Sequence, residues 1–177
     1  MYDFTQNARF PTMMKAIEMT SPKVIVEIGS IRNKSARSHE GEGHSTLFWC
    51  KHCPLVYSVD IDPNATQITK EICNHDGLHA ITSDAITWLT EFQDPIDILY
   101  LDAWDSGTPN YQENHVLAYQ VSLKNLHQNS VILIDDTWVL VGDGKGVLVV
   151  QKALQDGWKI VAHQYQVLLA RSIPEML

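Results

Sequence analysis

Short apolar runs rich in β-branched residues alternate along this chain with longer segments whose apolar positions recur at helical spacing. Apolar runs of this length are typical of strands buried in a parallel sheet, with crossover helices between them. The predicted strands are Val24–Ile28, Leu55–Val59, Leu78–Thr82, Ile96–Leu101, Val131–Ile134, Lys159–His163 and Gln166–Ala170. The pattern predicts an α/β fold, a Rossmann-like doubly wound sheet of seven strands.

Helical segments lie before the first strand and between the strands. The predicted helices are Pro11–Met19, Ser45–Lys51, Pro63–Asn74, Asp84–Phe92, Tyr111–Leu126 and Lys145–Asp156. Asp62 before Pro63 is typical of a helix start, since aspartate caps the helix and proline suits its first position. Too few residues separate the last two strands for a crossover helix. We therefore expect a mostly parallel sheet with an antiparallel C-terminal hairpin.

Length and charge limit the possible functions. The 177 residues match one domain, and we interpret 1–177 as a single unit in which residues 1–22 form an N-terminal helical extension. A formal net charge of −8 makes nucleic acid an improbable partner, because a phosphate backbone would be repelled. No long apolar run predicts a membrane span, and the N-terminus lacks the features of a signal peptide. The expectation is a cytoplasmic protein.

Cys50 and Cys53 form a CxxC motif that could in principle bind zinc or carry out redox chemistry. A structural zinc site needs four ligands, and the chain has no second CxxC motif, although His52 and Cys73 could join in. A thioredoxin-like motif would follow a strand and open a helix, whereas this one precedes a strand. We interpret these cysteines as structural residues at the end of a helix.

Acidic residues stand at or just after the ends of the first five predicted strands. These residues are Glu27, Asp60, Asp84, Asp102, Asp135 and Asp136. Any one of them could simply cap the following helix. Because ligands of open parallel sheets bind beyond the carboxyl ends of the strands, five such ends together indicate a functional site.

Glycines flank the polar loop between the first strand and the next helix. Gly29, Gly41 and Gly43 allow close approach of a ligand to the backbone, and the helix that starts at Ser45 and Thr46 offers free amide groups. A dinucleotide-binding fingerprint needs G-x-G-x-x-G directly after the strand, and this sequence lacks it. A nicotinamide-dependent oxidoreductase is therefore the weaker alternative.

Two segments resemble motifs of a known family. VEIGS with GEGHST, and YSVDIDP after it, resemble the first two motifs of class I S-adenosylmethionine (SAM)-dependent methyltransferases, and the likeness extends from Val24 to Arg171. It implies that Glu27 and the backbone around Gly29 face the methionine end of the cofactor, that Asp60 binds the ribose hydroxyls and that Asp84 meets the adenine. The implied cofactor-binding set is Glu27, Gly29, Ser30, Gly43, Ser45, Asp60, Ile61, Asp84, Ala85 and Asp102.

LYLDAWD and ILIDDTW resemble, more narrowly, the metal-binding segments of cation-dependent O-methyltransferases of the catechol and caffeoyl-coenzyme A type and their sugar-modifying relatives. The resemblance implies that Asp102, Asp135 and Asp136 hold a divalent cation, and three oxygen ligands suit Mg²⁺. In that group a lysine follows the fourth-strand aspartate, and this chain has Trp104 and Asp105 instead. The proton acceptor is therefore left open among His44, His115 and Asp105, and the predicted catalytic set is Asp102, Asp105 and His44.

The predicted reaction is O-methylation of a small-molecule hydroxyl. Trp104, Trp138 and Tyr111 could form an aromatic wall for the acceptor or could be core residues. Few residues of the chain could form a lid over the substrate. We therefore expect the polar loop Ile31 to Glu42, or a second subunit in a homodimer, to cover the bound substrate. Besides the oxidoreductase, the alternative is a non-catalytic module of this fold that binds a nucleoside or a protein.

Overall fold

The structure is a computed structural model that describes residues 5, 7–34, 44–137 and 140–172. The helices are Phe10–Thr20 (α1), Ser45–His52 (α2), Pro63–Cys73 (α3), Ala85–Glu91 (α4), Tyr111–Ser122 (α5) and Val147–Gln155 (α6). The strands are Val24–Ile28 (β1), Leu55–Asp60 (β2), Leu78–Thr82 (β3), Ile96–Leu101 (β4), Leu126–Ile134 (β5), Lys159–His163 (β6) and Val167–Ala170 (β7). The predicted residues Gly41, Gly43 and Trp138, and 35–42 of the polar loop, lie outside the described residues.

All seven strands belong to one sheet, in the order β3-β2-β1-β4-β5-β7-β6. Strands β1 to β5 pair in parallel, and β7 is antiparallel to both of its neighbours, β5 and β6. The direction of the strand order reverses at β1 and β4, which is where ligands bind in sheets of this kind. The predicted fold class and the antiparallel C-terminal hairpin are confirmed.

Alternate residues of the central strands face opposite layers of helices. In β4, Leu99 and Leu101 pack with α4, α5 and α6, whereas Ile98 and Tyr100 pack with α1 and α2. Both faces are covered, which explains why the strands are continuous apolar runs in the sequence. The sheet thus forms the central layer between two layers of helices.

The predicted and observed boundaries of the helices and strands differ most between α5 and β5. Helix α5 ends at Ser122 and β5 begins at Leu126, five residues before the predicted Val131. This part of the strand was not predicted because the residues His127–Ser130 are polar. The pairing of β5 with β4 is irregular there. Lys145, predicted as the first residue of the last helix, precedes α6 and is buried.

The cysteines lie where the sequence predicted them. Cys50 is in α2 and Cys53 follows its last residue, before β2, and both are buried and free of disulfides. In the described ranges no helix has the length and apolarity that crossing a membrane requires.

Candidate active site

A cavity of about 970 Å³ opens at the carboxyl ends of β1, β2 and β4. Nine of the predicted site residues line it: Gly29, Ser30, Asp60, Ile61, Asp84, Ala85, Asp102, Asp105 and Asp136. Glu27, Ser45, His44 and Asp135 are not among the lining residues, and Gly43 lies outside the described part. Residues from separate βα units therefore converge on one rim of the sheet, as the strand-end pattern predicted.

Gly29 lets the chain turn sharply after β1. Its φ is 103°, and a Cβ atom there would lie 2.7 Å from the carbonyl oxygen of Asp102, which is too close for any other residue. The Gly29 amide donates to the carbonyl of Val59 at 2.8 Å. The ends of β1, β2 and β4 are thus held together directly beneath the cavity.

Asp60 joins the loops that follow β1 and β2. Its Oδ2 accepts a hydrogen bond from the Ser30 amide and its Oδ1 from the Asp62 amide, both at 2.9 Å. The neighbouring Ile61 leaves 74% of its surface exposed at the cavity. An acidic group and an exposed apolar surface therefore stand side by side.

Asp84 caps helix α4 and lines the cavity as well. Its Oδ1 accepts hydrogen bonds from the amide and the hydroxyl of Thr87, both at 2.8 Å. The capping role that sequence reasoning kept as an alternative is therefore present. Because the cap uses only Oδ1, the second oxygen of this exposed, cavity-lining carboxylate is available as an acceptor.

Glu27 is completely buried below the cavity. The Ser45 hydroxyl donates to Glu27 Oε1 at 2.5 Å, and the hydroxyls of Ser58, at 2.8 Å, and Thr46 both donate to Oε2. Burial raises the pKa of Glu27 to about 7, against the lowering effect of the three hydroxyls. In this arrangement Glu27 and Ser45 anchor the start of α2 to β1 and β2.

Three carboxylates form an acidic cluster where β4 and β5 end. Each of Asp102, Asp135 and Asp136 offers an oxygen that lies within 4.8 Å of the others. Asp136 has a φ of 50°, a conformation that is uncommon outside glycine and is found preferentially at functional sites. The predicted cation ligands are thus close enough to share one ion.

Two basic side chains that sequence reasoning missed already pair with this acidic cluster. Arg9 Nε lies 2.7–2.8 Å from both oxygens of Asp135, and its Nη2 lies 3.1 Å from Asp136. Lys145 Nζ lies 2.9 Å from Asp102 and 3.4 Å from Asp136. The two basic side chains therefore offset much of the negative charge of the acidic cluster.

A buried polar network fixes Asp135. The Gln166 amide nitrogen donates to Asp135 at 2.8 Å and to the Tyr100 hydroxyl at 3.0 Å, and the Thr12 hydroxyl donates to the Gln166 side-chain oxygen at 2.6 Å. Arg9 stacks on the ring of Tyr165, 4.3 Å from its centroid. The N-terminal segment and α1 are thus part of the site, although the sequence suggested only a helical extension.

The three candidate proton acceptors differ in position. Asp105 is exposed at the cavity, and the hydrogen bond from Arg32, whose Nη1 lies 2.7 Å away, lowers the pKa of Asp105. His44 is buried just before α2, away from the lining. His115 is buried in α5, where burial lowers its pKa to about 4, so the ring is neutral at pH 7.

The predicted aromatic wall is present in part. Trp104 lines the cavity with a φ of 49°, and its ring meets the His115 ring edge-on at 5.2 Å. Tyr111 is instead directed to the loop before α6, where its hydroxyl donates to the Asp143 carbonyl at 2.6 Å. Of the predicted aromatic residues, Trp104 is therefore the one that the structure places at the cavity, where Tyr165 is a second aromatic lining residue.

The strand order and the carboxylates at the ends of β2 and β4 agree with the class I SAM-dependent methyltransferase that the family match establishes. A family model described as a methyltransferase domain matches residues 40–137, and the chain belongs to this family. No curated protein matches the chain.

Solved structures of methyltransferases share the fold. An rRNA methylase from Streptococcus thermophilus is 15% identical with a TM-score of 0.60, covering 92% of this chain and 94% of that one. The N-methyltransferase NodS from Bradyrhizobium japonicum is 14% identical with a TM-score of 0.64, covering 91% and 92%. MycE from the mycinamycin biosynthetic pathway, in complex with Mg and SAH, is 14% identical with a TM-score of 0.64, covering 90% of this chain and 48% of that one. At these identities the likeness establishes the fold and leaves the acceptor open.

Proposed function

We propose that this methyltransferase transfers the methyl group of SAM to a hydroxyl oxygen of a small molecule. The observation that carries the proposal is the cavity itself. One side bears the Asp60 carboxylate and the exposed Ile61 side chain, and the other bears Asp102, Asp105 and Trp104. One side suits a nucleoside and the other a polar acceptor with a planar or apolar surface.

The cofactor's nucleoside would occupy the side formed by β2 and β3. In the proposal, the Asp60 carboxylate accepts hydrogen bonds from the ribose diol, because a diol needs a bidentate acceptor. Ile61 packs on the adenine ring, and the uncapped oxygen of Asp84 accepts from the adenine amino group. The turn at Gly29 leaves room for the methionine end next to Asp102.

The charge of the cavity supports a small acceptor over a nucleic acid. Five carboxylates line it in the described part of the chain, Asp60, Asp84, Asp102, Asp105 and Asp136, against the two guanidinium groups of Arg9 and Arg32. Phosphate backbones are bound by surfaces with the opposite balance of charge. A neutral or cationic small molecule is the chemically matched acceptor.

The acidic cluster is the proposed holder of a divalent cation. Its donor set fits, since three carboxylate oxygens within 4.8 Å suit a hard ion such as Mg²⁺. When bound, such a cation stabilises an acceptor oxyanion. Arg9 and Lys145 compete for the same oxygens, so an incoming ion has to displace at least one of these contacts.

The chain's own residues contribute alignment and a proton acceptor. The acceptor oxygen attacks the methyl carbon in line with the carbon–sulfur bond, the sulfur keeps the bonding electrons, and the hydroxyl proton leaves to a carboxylate. Of the five carboxylates that line the cavity, Asp102 and Asp105 are on the side proposed for the acceptor and are the proposed proton acceptors. Holding the two reactants in line is worth roughly 7 to 11 kcal/mol of the barrier.

The test is turnover with defined acceptor classes. The purified protein is incubated with methyl-labelled SAM and a panel of catechols and sugars, a matched panel of amines, and RNA, and the labelled product is identified by NMR. Label on oxygen in the first panel supports the proposal. Label on nitrogen or on RNA would overturn the acceptor assignment, and SAM binding without turnover of any panel would favour a non-catalytic nucleoside-binding module.

A further inference from the structure

The amino-acid end of SAM carries a carboxylate that needs a positive partner inside a cavity dominated by acidic groups. Burying a carboxylate beside like charges without a counter-charge is costly, whereas a guanidinium group binds it through paired, charge-assisted hydrogen bonds. Among the described lining residues only Arg9 and Arg32 carry such a group.

Arg9 is already committed to other partners. Its guanidinium group contacts both oxygens of Asp135 and also Asp136, and it stacks on the ring of Tyr165. The Arg9 side chain is only 11% exposed. Moving it would leave the fully buried Asp135 without its main positive partner. Arg9 is thus a poor candidate for exchanging partners when the cofactor binds.

Arg32 is in the opposite situation. Its Nη1 pairs with Asp105 at 2.7 Å, and the side chains of Arg32 and Asp105 are 66% and 52% exposed. Exposed ion pairs contribute little to stability, so this contact can be exchanged at small cost. Arg32 lies two residues after Ser30, at the turn where the methionine end is proposed to bind, and it lines the cavity together with Asp105.

We propose that Arg32 gives up its ion pair with Asp105 and binds the carboxylate of the SAM methionine moiety instead. This inference rests on the proposed cofactor site. It adds the Arg32 guanidinium as the group that distinguishes a nucleoside that carries an amino-acid moiety from one that does not. The exchange also frees the Asp105 carboxylate on the acceptor side of the cavity. Arg32 is therefore both a specificity residue for the cofactor and a link between cofactor binding and the acceptor site.

The experiment compares two nucleosides that differ in the amino-acid moiety, SAH and 5′-methylthioadenosine, by isothermal titration calorimetry. In the wild type, SAH binds more tightly. Arg32→Gln should weaken SAH binding by about tenfold or more and leave 5′-methylthioadenosine within twofold, because only SAH has the carboxylate. Arg32→Lys should recover part of the loss. Asp105→Asn should bind SAH as tightly as the wild type or more tightly, because it removes the competing carboxylate.

Lys34→Gln is the matched control, since Lys34 is an exposed cation of the same loop that pairs with Glu71 and does not line the cavity. It should change neither affinity. An unchanged preference for SAH in Arg32→Gln, with the wild type binding both ligands, would overturn the role of Arg32 and leave the proposed function standing. A wild-type protein that binds neither ligand would overturn the cofactor site as well.

Discussion

Lys145 and Asp102 are 43 residues apart in the chain, and the Nζ and Oδ1 atoms of these two residues lie 2.9 Å apart. The Lys145 side chain is only 1% exposed, and its ammonium group also lies 3.4 Å from Asp136. A lysine therefore reaches the fourth-strand aspartate from the segment before α6. It stands between two of the carboxylates proposed to hold a cation, so the ammonium and a divalent ion compete for the same oxygens.

Replacing Lys145 by methionine should strengthen cation binding. Two like charges a few ångströms apart repel by up to about 4 kcal/mol at an effective dielectric constant of 20, so a gain of about tenfold or more in Mn²⁺ affinity is expected for Lys145→Met. Electron paramagnetic resonance of free Mn²⁺ measures it directly. Lys152→Met, which removes a half-exposed lysine of α6 that pairs with Asp156, should not change the affinity. Equal or weaker binding by Lys145→Met would contradict the competition.

The pair formed by Arg9 and Asp135 should matter for stability. Asp135→Ala leaves the largely buried guanidinium of Arg9 without its main partner, and breaking a buried pair in this way costs about 3–5 kcal/mol. Urea denaturation of Asp135→Ala and of Asp76→Ala, an exposed aspartate, provides the comparison. Removing both charges with Arg9→Met and Asp135→Leu should recover most of the loss. A decrease of less than 1 kcal/mol in Asp135→Ala would show that the pair is not buried as described.

The sheet and one rim of the site could be predicted because their causes are local. Buried parallel strands require continuous apolar runs, and the polar residue that ends each run necessarily emerges at the carboxyl edge. Asp60 and Asp102 were found in this way. The N-cap of α4 at Asp84 was likewise readable from residue type and position.

The partners of the acidic cluster could not be predicted because they depend on tertiary contacts. Arg9 precedes Asp135 by 126 residues, and no periodicity connects them. Lys145 looked like the first residue of a helix, and only its burial beside Asp102 distinguishes it from a solvated lysine. The strand segment His127–Ser130 was hidden for a related reason, since pairing with β4 outweighs its polar composition.

Asp60 should determine cofactor affinity and Asp62 should not. Losing a charged acceptor for the ribose diol is expected to weaken SAH binding by about tenfold or more in Asp60→Ala. Asp62→Ala removes the cap of α3, where the Asp62 side chain accepts from the Asn64 amide at 2.8 Å, and should cost about 1 kcal/mol of stability with little effect on binding. Calorimetric titration and urea denaturation separate the two effects. Similar SAH affinities in both variants would remove Asp60 from the cofactor site.

Glu27 should make the protein less stable as the pH rises towards neutrality. Burial raises its pKa from the ordinary value of 4.5 to about 7, so the folded state keeps this proton to a higher pH than the unfolded state does. The stabilising contribution of the protonated group is complete below pH 4.5 and is lost as the pH rises through 7. The change is on the order of 3 kcal/mol for a shift of this size.

The non-titrating variant Glu27→Gln isolates this effect. Its free energy of unfolding should fall less than that of the wild type between pH 5 and pH 8. The substitution also disturbs the hydrogen bonds from Ser45, Thr46 and Ser58, but this loss of stability does not affect the comparison of the slopes. Urea denaturation at several pH values measures both curves, and Glu18→Gln, an exposed substitution in α1, should run parallel to the wild type. If the Glu27→Gln and wild-type curves were parallel too, Glu27 would be ionised in the folded protein. The three hydroxyls would then outweigh burial.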